Sequence, residues 1–330
     1  MKHRPLRIGI LGSGFIAGVH ARSLQKINDV TLAAVANNHS QSAAASFADK
    51  HQIPAYYRSF AAMLNAASLD AVYLCIPPFA HSGEAELAAA KGLHVFLEKP
   101  IALDATQAES MVAAIETAGV KSQVGFHMRH LKSVQAAKAL IESGEAGQPT
   151  LFTGRYWVNM DGSPWWRDVS KSGGQLFEQV THLYDLATHL CGSVESARGI
   201  LRNLCRAHSA DYSIEDTSVG TLQFCNGAIG VITGSNCALP NHFLGDFRLV
   251  CQNLTLDYRC TGQNWVTPDQ ATLHRPEHPV ETVTEDGDPY RRESEDFIAA
   301  IRDDRPTTAP ARTGLEAIRL VESVLADAKR

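Results

Sequence analysis

The segment LRIGILGSGFIA, Leu6 to Ala17, runs from aliphatic side chains into two closely spaced glycines and back into apolar residues. Leu6–Leu11 has the length and composition of a short buried strand, and helical spacing follows to about residue 27. Between them stands G-x-G-x-x-A, an accepted form of the dinucleotide fingerprint. Each position has a physical task. Gly12 makes the tight turn off the strand, Gly14 lets a pyrophosphate approach the backbone, and Ala17 lets helix and strand pack closely. Phe15 and Ile16 open the helix, where unpaired N–H groups and the helix dipole favour negative charge. A plain glycine turn is the alternative reading, but a strand before and a helix after favour the nucleotide.

The alternation continues. Strands are predicted over 30–36, 71–76, 93–97 and 121–125, and helices over 40–50, 80–91 and 104–118. Strands separated by helices imply crossovers and a mostly parallel sheet, which binds ligands beyond the carboxyl ends of its strands. Three segments fall there: residues 12–17, Ile76-Pro77-Pro78, and Glu98-Lys99-Pro100. Lys99 therefore stands at a strand edge where a ligand would lie, although a surface turn would use the same residues. After the second strand, Ala36-Asn37-Asn38-His39-Ser40 lacks the acid that usually holds the ribose hydroxyls, and it lacks an arginine. Asn37 and Asn38 take that place. NAD or NADP is expected, with a lean to NADP because no carboxylate would repel a 2′-phosphate.

After Pro149 the pattern changes. Strands are predicted over 151–160, 194–203, 216–224, 228–235, 247–251 and 254–258, without regular helices between them, so antiparallel pairing is expected. Asn226-Gly227 is a hairpin signal. Two amphipathic helices, about 293–303 and 313–328, close the chain. The fold class is α/β: an N-terminal Rossmann-type parallel sheet over 1–125, then an α+β domain over 126–330 on a large, mainly antiparallel open sheet. One helix, 175–190, interrupts that sheet. It sets Glu178, His182, Asp185 and His189 on one face. A solvated stripe would look the same. Trp165-Trp166-Arg167 and Ser172-Gly173-Gly174 just before it argue for the border of a cleft.

Composition narrows the classes. The net charge of −5 and the absence of a basic block argue against nucleic acid. No apolar run approaches about 18 residues, so no membrane span is expected. The apolar patch of the first residues is shorter than the about 7–15 of a signal core. Seven cysteines stand singly, several inside apolar runs as Cys75 and Cys225 do, which suggests buried thiols in a reducing cytoplasm. His208, His274 and His278 show no metal-ligand spacing, and no metal is expected.

Together these pieces resemble the glucose-fructose oxidoreductase / inositol dehydrogenase (Gfo/Idh/MocA) family along nearly the whole chain. The specific features are Pro77-Pro78-x-x-His81, Glu98-Lys99-Pro100, and the Gly-Gly segment leading to an acid and a histidine four residues apart. The resemblance implies catalytic roles for Lys99, His182 and Glu178. It implies substrate contacts from Asp185, Arg129 and His127, and a Trp166-Arg167 pair near the nicotinamide. Ile76, Pro77, Pro78, His81 and Glu98 are implied on the cofactor side. There are departures: Glu178 replaces the usual aspartate, and His130 and Lys132 stand where the family motif after Arg129 has Phe and Pro.

The implied reaction is reversible hydride transfer between nicotinamide and a carbinol carbon of a sugar, inositol or related polyol. His182 would be the general acid/base. Lys99 would stabilise charge on the same oxygen. A redox-neutral enzyme that retains its cofactor, and a non-catalytic sensor of cofactor and sugar, are the competing readings. A homodimer or homotetramer is implied, with the open face of the second sheet against another subunit.

Overall fold

The computed structural model describes residues 4–159, 162–238, 243–262, 270–285 and 288–328. The chain forms two compact units, Met1–His127 with Asp288–Leu315, and Met128–Gly287 with Glu316–Arg330.

In the first unit six strands form one parallel sheet: β1 (Leu6–Leu11), β2 (Val30–Ala36), β3 (Tyr56–Tyr57), β4 (Ala71–Leu74), β5 (His94–Leu97) and β6 (Ser122–Val124). Their order is β3-β2-β1-β4-β5-β6. The chain leaves β1 toward β2 and returns to β4 on the other side, so the strand order reverses between β1 and β4. That reversal opens a crevice at the strands' carboxyl ends. β1, β4 and β5 are almost wholly buried because helices cover both faces, as their aliphatic runs require.

The core explains where the unit ends. Tyr73 and Phe96 stack at 4.3 Å, and Phe297 meets them edge-on at 5.8 and 5.9 Å. Phe297 and Ile298 lie on the helix Pro289–Arg302, within one cluster with Ile8, Ile10 and Val35. Burying each such side chain is worth about 1.5–3 kcal/mol. A single division at residue 125 leaves this helix out. The chain returns over 288–315 to complete the first core. The 80–91 helix is also shorter than its sequence pattern suggests. Pro78–Ala80 is a 3₁₀ turn, and the helix Glu84–Ala90 starts only after Gly83 at φ 105°.

Among the described residues the second unit is built on nine strands: β7 (Pro149–Trp157), β8 (Val194–Arg202), β9 (Thr217–Phe224), β10 (Ile229–Ser235), β11 (Phe243–Cys251), β12 (Thr255–Arg259), β13 (Thr261–Gly262), β14 (Gln270–His274) and β15 (Glu281–Thr284). The order is β15-β14-β12-β11-β7-β10-β9-β8, with β13 beside β11. Pairing is antiparallel except between β7 and β10. One face packs under the helix Thr181–Cys191, where Leu183 lies so close to Gly154 that an added Cβ would stand 3.1 Å away. On the other face Ile200, Ile229 and Val231 are exposed. Cys75 is buried, but Cys225 is exposed, which corrects the expectation that both are buried in apolar runs. Met160, the predicted end of the first strand here, lies outside the described residues. No helix among the described residues is long and apolar enough to cross a membrane.

Candidate functional site

At the β1 end the glycines do different work. Gly12 has φ 109°, and an added Cβ would collide with the carbonyl oxygen of Cys75 at the end of β4. It is glycine for conformation and for clearance. Gly14, at φ −82°, is unstrained, and a Cβ there would meet no protein atom within 4 Å. It caps the helix Phe15–Leu24, whose N-terminus has no side-chain cap. The first-turn N–H groups therefore face open space above a glycine, the donor set a pyrophosphate needs. Phe15 is exposed, Ile16 packs partly against the core and Ala17 is fully buried. These residues fit a dinucleotide.

Asn37 and Asn38 are committed locally. The Asn37 amide donates to Ser13 Oγ at 2.8 Å, and its oxygen accepts from the backbones of His39 and Ser40. Asn38 accepts from Phe60 N at 2.8 Å and donates to Glu84 at 3.3 Å. Glu84 is a buried carboxylate that the stretch around residue 37 gives no hint of. Ile76 and Pro77 are half-buried beyond β4, and Pro78 is buried. His81 is buried, and neither ring nitrogen has a hydrogen-bond partner. Burial pulls its pKa down to about 4, so it is neutral near pH 7.

Glu98 answers why β5 ends on a charged pair. Its Oε1 lies 2.6 Å from His20 Nε2, and its Oε2 accepts the Lys99 N–H at 3.1 Å. Gly125 leaves room for it, since a Cβ there would stand 2.9 Å from Glu98 Oε1. The buried carboxylate thus clamps the backbone of Lys99 just past the strand, with the half-buried Lys99 side chain next in line. His127 stacks on Tyr290 at 4.4 Å within this unit.

In the second unit the predicted 175–190 helix is not uniform. Leu176–Val180 is a π-helical turn, and a regular α-helix runs over Thr181–Cys191. The π turn carries Glu178, and the regular helix carries His182, Asp185 and His189. Such insertions are frequent at functional sites. Trp166 Nε1 donates to Glu178 Oε2 at 2.9 Å and fixes that carboxylate. Trp166 is itself packed with Tyr212 and Ile214. Arg167 pairs with Asp211 at 2.7 Å. His182 is buried on the first turn of the α-helix. Arg129 and Asp185 occupy each other: two parallel bonds, 2.9 and 2.7 Å, join them in a buried bidentate pair. Burial raises the Asp185 carboxyl, and the guanidinium opposes that rise. Removing either partner would leave a buried charge uncompensated.

Glu215 escaped the sequence reading. It accepts Leu176 N at 2.5 Å, where the π turn begins, and Gly174, at φ 106°, leaves it room. The Gly-Gly pair was its only signal. Burial pushes its pKa up to about 7 from 4.5, against the pull of the backbone donors. A carboxyl raised on folding favours the folded state at low pH, and that contribution is lost as pH rises through about 7. Glu215→Gln keeps an acceptor for Leu176. Its Tm is expected to exceed the parent's at pH 8 and to converge with it near pH 5. An equal difference at both pH values would refute the shift.

Comparison with known proteins agrees with this fold. A family model described as an oxidoreductase family with an NAD-binding Rossmann fold matches residues 6–126, and one for the GFO/IDH/MocA C-terminal domain matches 134–256. Inositol 2-dehydrogenase of Rhizobium meliloti (strain 1021) is 28% identical, over 97% of this chain and 96% of its own. D-glucoside 3-dehydrogenase of Escherichia coli (strain K12) is 30% identical, over 69% of this chain and 70% of its own. The solved structure of a levoglucosan dehydrogenase, in complex with NADH and levoglucosan, superposes with a TM-score of 0.89 over 99% of this chain and 98% of its own, at 18% identity, a likeness of fold. The two domain models span most of the sequence in the order the fold requires, and the chain belongs to the Gfo/Idh/MocA family of oxidoreductases.

Proposed function

We propose that the protein is an NAD(P)-dependent dehydrogenase of a sugar, inositol or related polyol. The observation that carries this reading is the uncapped helix N-terminus over Gly14 at the point where strand order reverses, on the same sheet as Lys99 clamped by Glu98. The named relatives act on inositols and glucosides, which supports the substrate class. A bound nicotinamide would accept or return hydride at the carbinol carbon. Residues 12–17 would hold its pyrophosphate, and neutral His81 would offer a hydrogen bond on the cofactor side.

The protein's own groups manage the proton. His182 takes the hydroxyl proton as the alcohol is oxidised and returns it in reduction. Lys99 donates to the same oxygen and stabilises its developing charge. Glu178, held by Trp166, accepts from a neighbouring hydroxyl of the polyol. Arg129 and Asp185 keep the His182 helix in place rather than touching substrate.

On cofactor choice, either NAD or NADP fits the fold, and two contacts support NAD as the proposed preference. Asn37 is turned to Ser13, and the buried Glu84 carboxylate beside Asn38 disfavours a further phosphate. A panel of sugars and polyols with both cofactors, followed at the reduced-nicotinamide absorbance, tests function and preference together. Turnover of at least one polyol is expected, with kcat/KM at least about tenfold higher for NAD than for NADP, about 1.4 kcal/mol. No turnover of any polyol refutes the function. A preference for NADP refutes the role given to Glu84.

The open sheet face is proposed to join another copy of the chain. Registers Ile229↔Gln223, Val231↔Thr221↔Arg198 and Thr233↔Val219↔Ile200 put aliphatic and uncharged residues in adjacent rows with one arginine. An exposed aliphatic patch of this kind marks an interaction surface. Light scattering at micromolar concentration is expected to give a dimer or tetramer, and a monomer would refute the assignment.

A further inference from the structure

Three residues far apart in sequence meet at one end of the second sheet. β8 ends at Arg202, β9 begins at Thr217 and β10 ends at Ser235, and the register aligns all three: Arg202 and Ser235 both pair with Thr217. The ladder continues past the strands, with Asp216 N bonded to Arg202 O at 3.0 Å and Asn236 N to Asp216 O at 2.8 Å. Just beyond stand Cys205, Asp216 and Cys237. Their two sulfurs and a carboxylate oxygen all lie within 4.8 Å of one another.

We propose that Cys205, Asp216 and Cys237 form a binding site for zinc or a similar soft divalent cation. Three observations carry it. The donor set is the first: two thiols and a carboxylate suit zinc, whereas magnesium and calcium prefer oxygen alone. In a tetrahedral zinc site, with Zn–S about 2.3 Å and Zn–O about 2.0 Å, donor atoms stand roughly 3.3–3.8 Å apart, and the three here lie within 4.8 Å of one another.

The second is how Asp216 is held. It is fully buried. Its Oδ2 accepts the backbone N–H groups of Cys205 at 2.7 Å, Leu204 at 3.0 Å and Arg206 at 3.1 Å, and its Oδ1 accepts Thr217 Oγ1 at 3.0 Å and Leu204 N at 3.0 Å. These donors fix the carboxylate in orientation, and a cation bound here would take one of its oxygens in place of a donor.

The third is access. Cys205 is exposed and Cys237 half-buried, so an ion can enter and a water can complete its coordination. Binding replaces two S–H bonds by two metal–sulfur bonds, and both protons leave to the buffer. No electron is transferred.

The consequence is local. The segment between Cys205 and Asp216 carries Tyr212 and Ile214, which pack on Trp166, and Glu215, which holds Leu176. Asn236, next to Cys237, donates to Tyr212 OH at 2.8 Å. A cation tying Cys205 to Cys237 would close this loop across three strand ends and brace the wall that positions Glu178. The sequence hides the site because its ligands are set by strand register, not by spacing along the chain.

The test is a titration of the full-length, reduced and chelator-treated protein with cobalt(II), a spectroscopic stand-in for zinc. One equivalent is expected to bind with a thiolate-to-cobalt charge-transfer band, to be displaced by zinc, and to be lost in both Cys205→Ser and Cys237→Ser. Zinc should raise the Tm of the parent by several degrees and leave that of Cys205→Ser unchanged. Because Cys205 is exposed, that variant folds, whereas Asp216→Asn would also disturb the turn at residues 204–206 and is not relied on. Substoichiometric uptake, a band that survives in both serine variants, or a Cys205–Cys237 disulfide as the pair's only reactivity would overturn the proposal.

Discussion

Lys99→Ala and His182→Ala are each expected to lower kcat by about two to four orders of magnitude, the range usual for a charge-stabilising donor and a general base. Lys99 is held by its own backbone. Glu98 grips the Lys99 N–H and His20, and Gly125 leaves space for that grip. Removing the side chain beyond Cβ leaves those backbone bonds intact, so the loss should fall mainly on chemistry. Cofactor affinity should change much less, because the phosphates would be gripped at residues 12–17. The histidine variant adds a second readout. In the oxidative direction the general base must be unprotonated to take the hydroxyl proton, so the parent's kcat/KM should rise with pH. That limb should vanish from the residual activity of His182→Ala. Glu178→Gln should differ again. It keeps the bond from Trp166 and loses the charge, so it should mainly raise KM. If Lys99→Ala turns over every accepted substrate at the parent's rate, Glu98-Lys99-Pro100 is only a turn.

Much of the first unit could be read from the sequence because its signals are local. A buried parallel strand is an aliphatic run, a phosphate turn is a pair of glycines, and both persist in a window of a dozen residues. The helix Pro289–Arg302 could not be assigned to that unit, because an amphipathic face does not say which core it covers; Phe297 finds its partners some two hundred residues back. The π turn at Leu176–Val180 was hidden for a related reason. Spacing in sequence presumes 3.6 residues per turn, and nothing in the apolar pattern marks the wider turn that carries Glu178. The committed side chains were also invisible. Asn37, Asn38, Arg129 and Asp185 all looked available for ligands, yet each is occupied by a partner more than a dozen residues away. Polar residues that must be buried find such partners, and composition cannot tell which polar residue will be buried.

The two fingerprint glycines separate folding from binding, and this gives the second large effect. Gly12→Ala must place a Cβ against the Cys75 carbonyl at φ 109°, a conformation L-residues rarely adopt. The strain alone costs about 1–3 kcal/mol. The clash adds to it, because the obstacle is backbone fixed by the Cys75 N–H bond to Leu11 O at 2.8 Å. β1 and β4 would have to part at the point where strand order reverses. The expected result is a Tm lower by several degrees together with loss of measurable dinucleotide binding. Gly14→Ala meets neither obstacle. Its φ of −82° suits any residue and its Cβ enters open space. That variant should melt with the parent. If the pyrophosphate lies where the uncapped N–H groups point, however, the new methyl occupies its approach, and affinity should fall by about tenfold or more, at least about 1.4 kcal/mol. Calorimetric titration with NADH beside a melting curve reads both quantities. Parent-like binding in Gly14→Ala would mean that the cofactor does not cross this helix N-terminus, and the assignment of residues 12–17 would fail even with the fold intact.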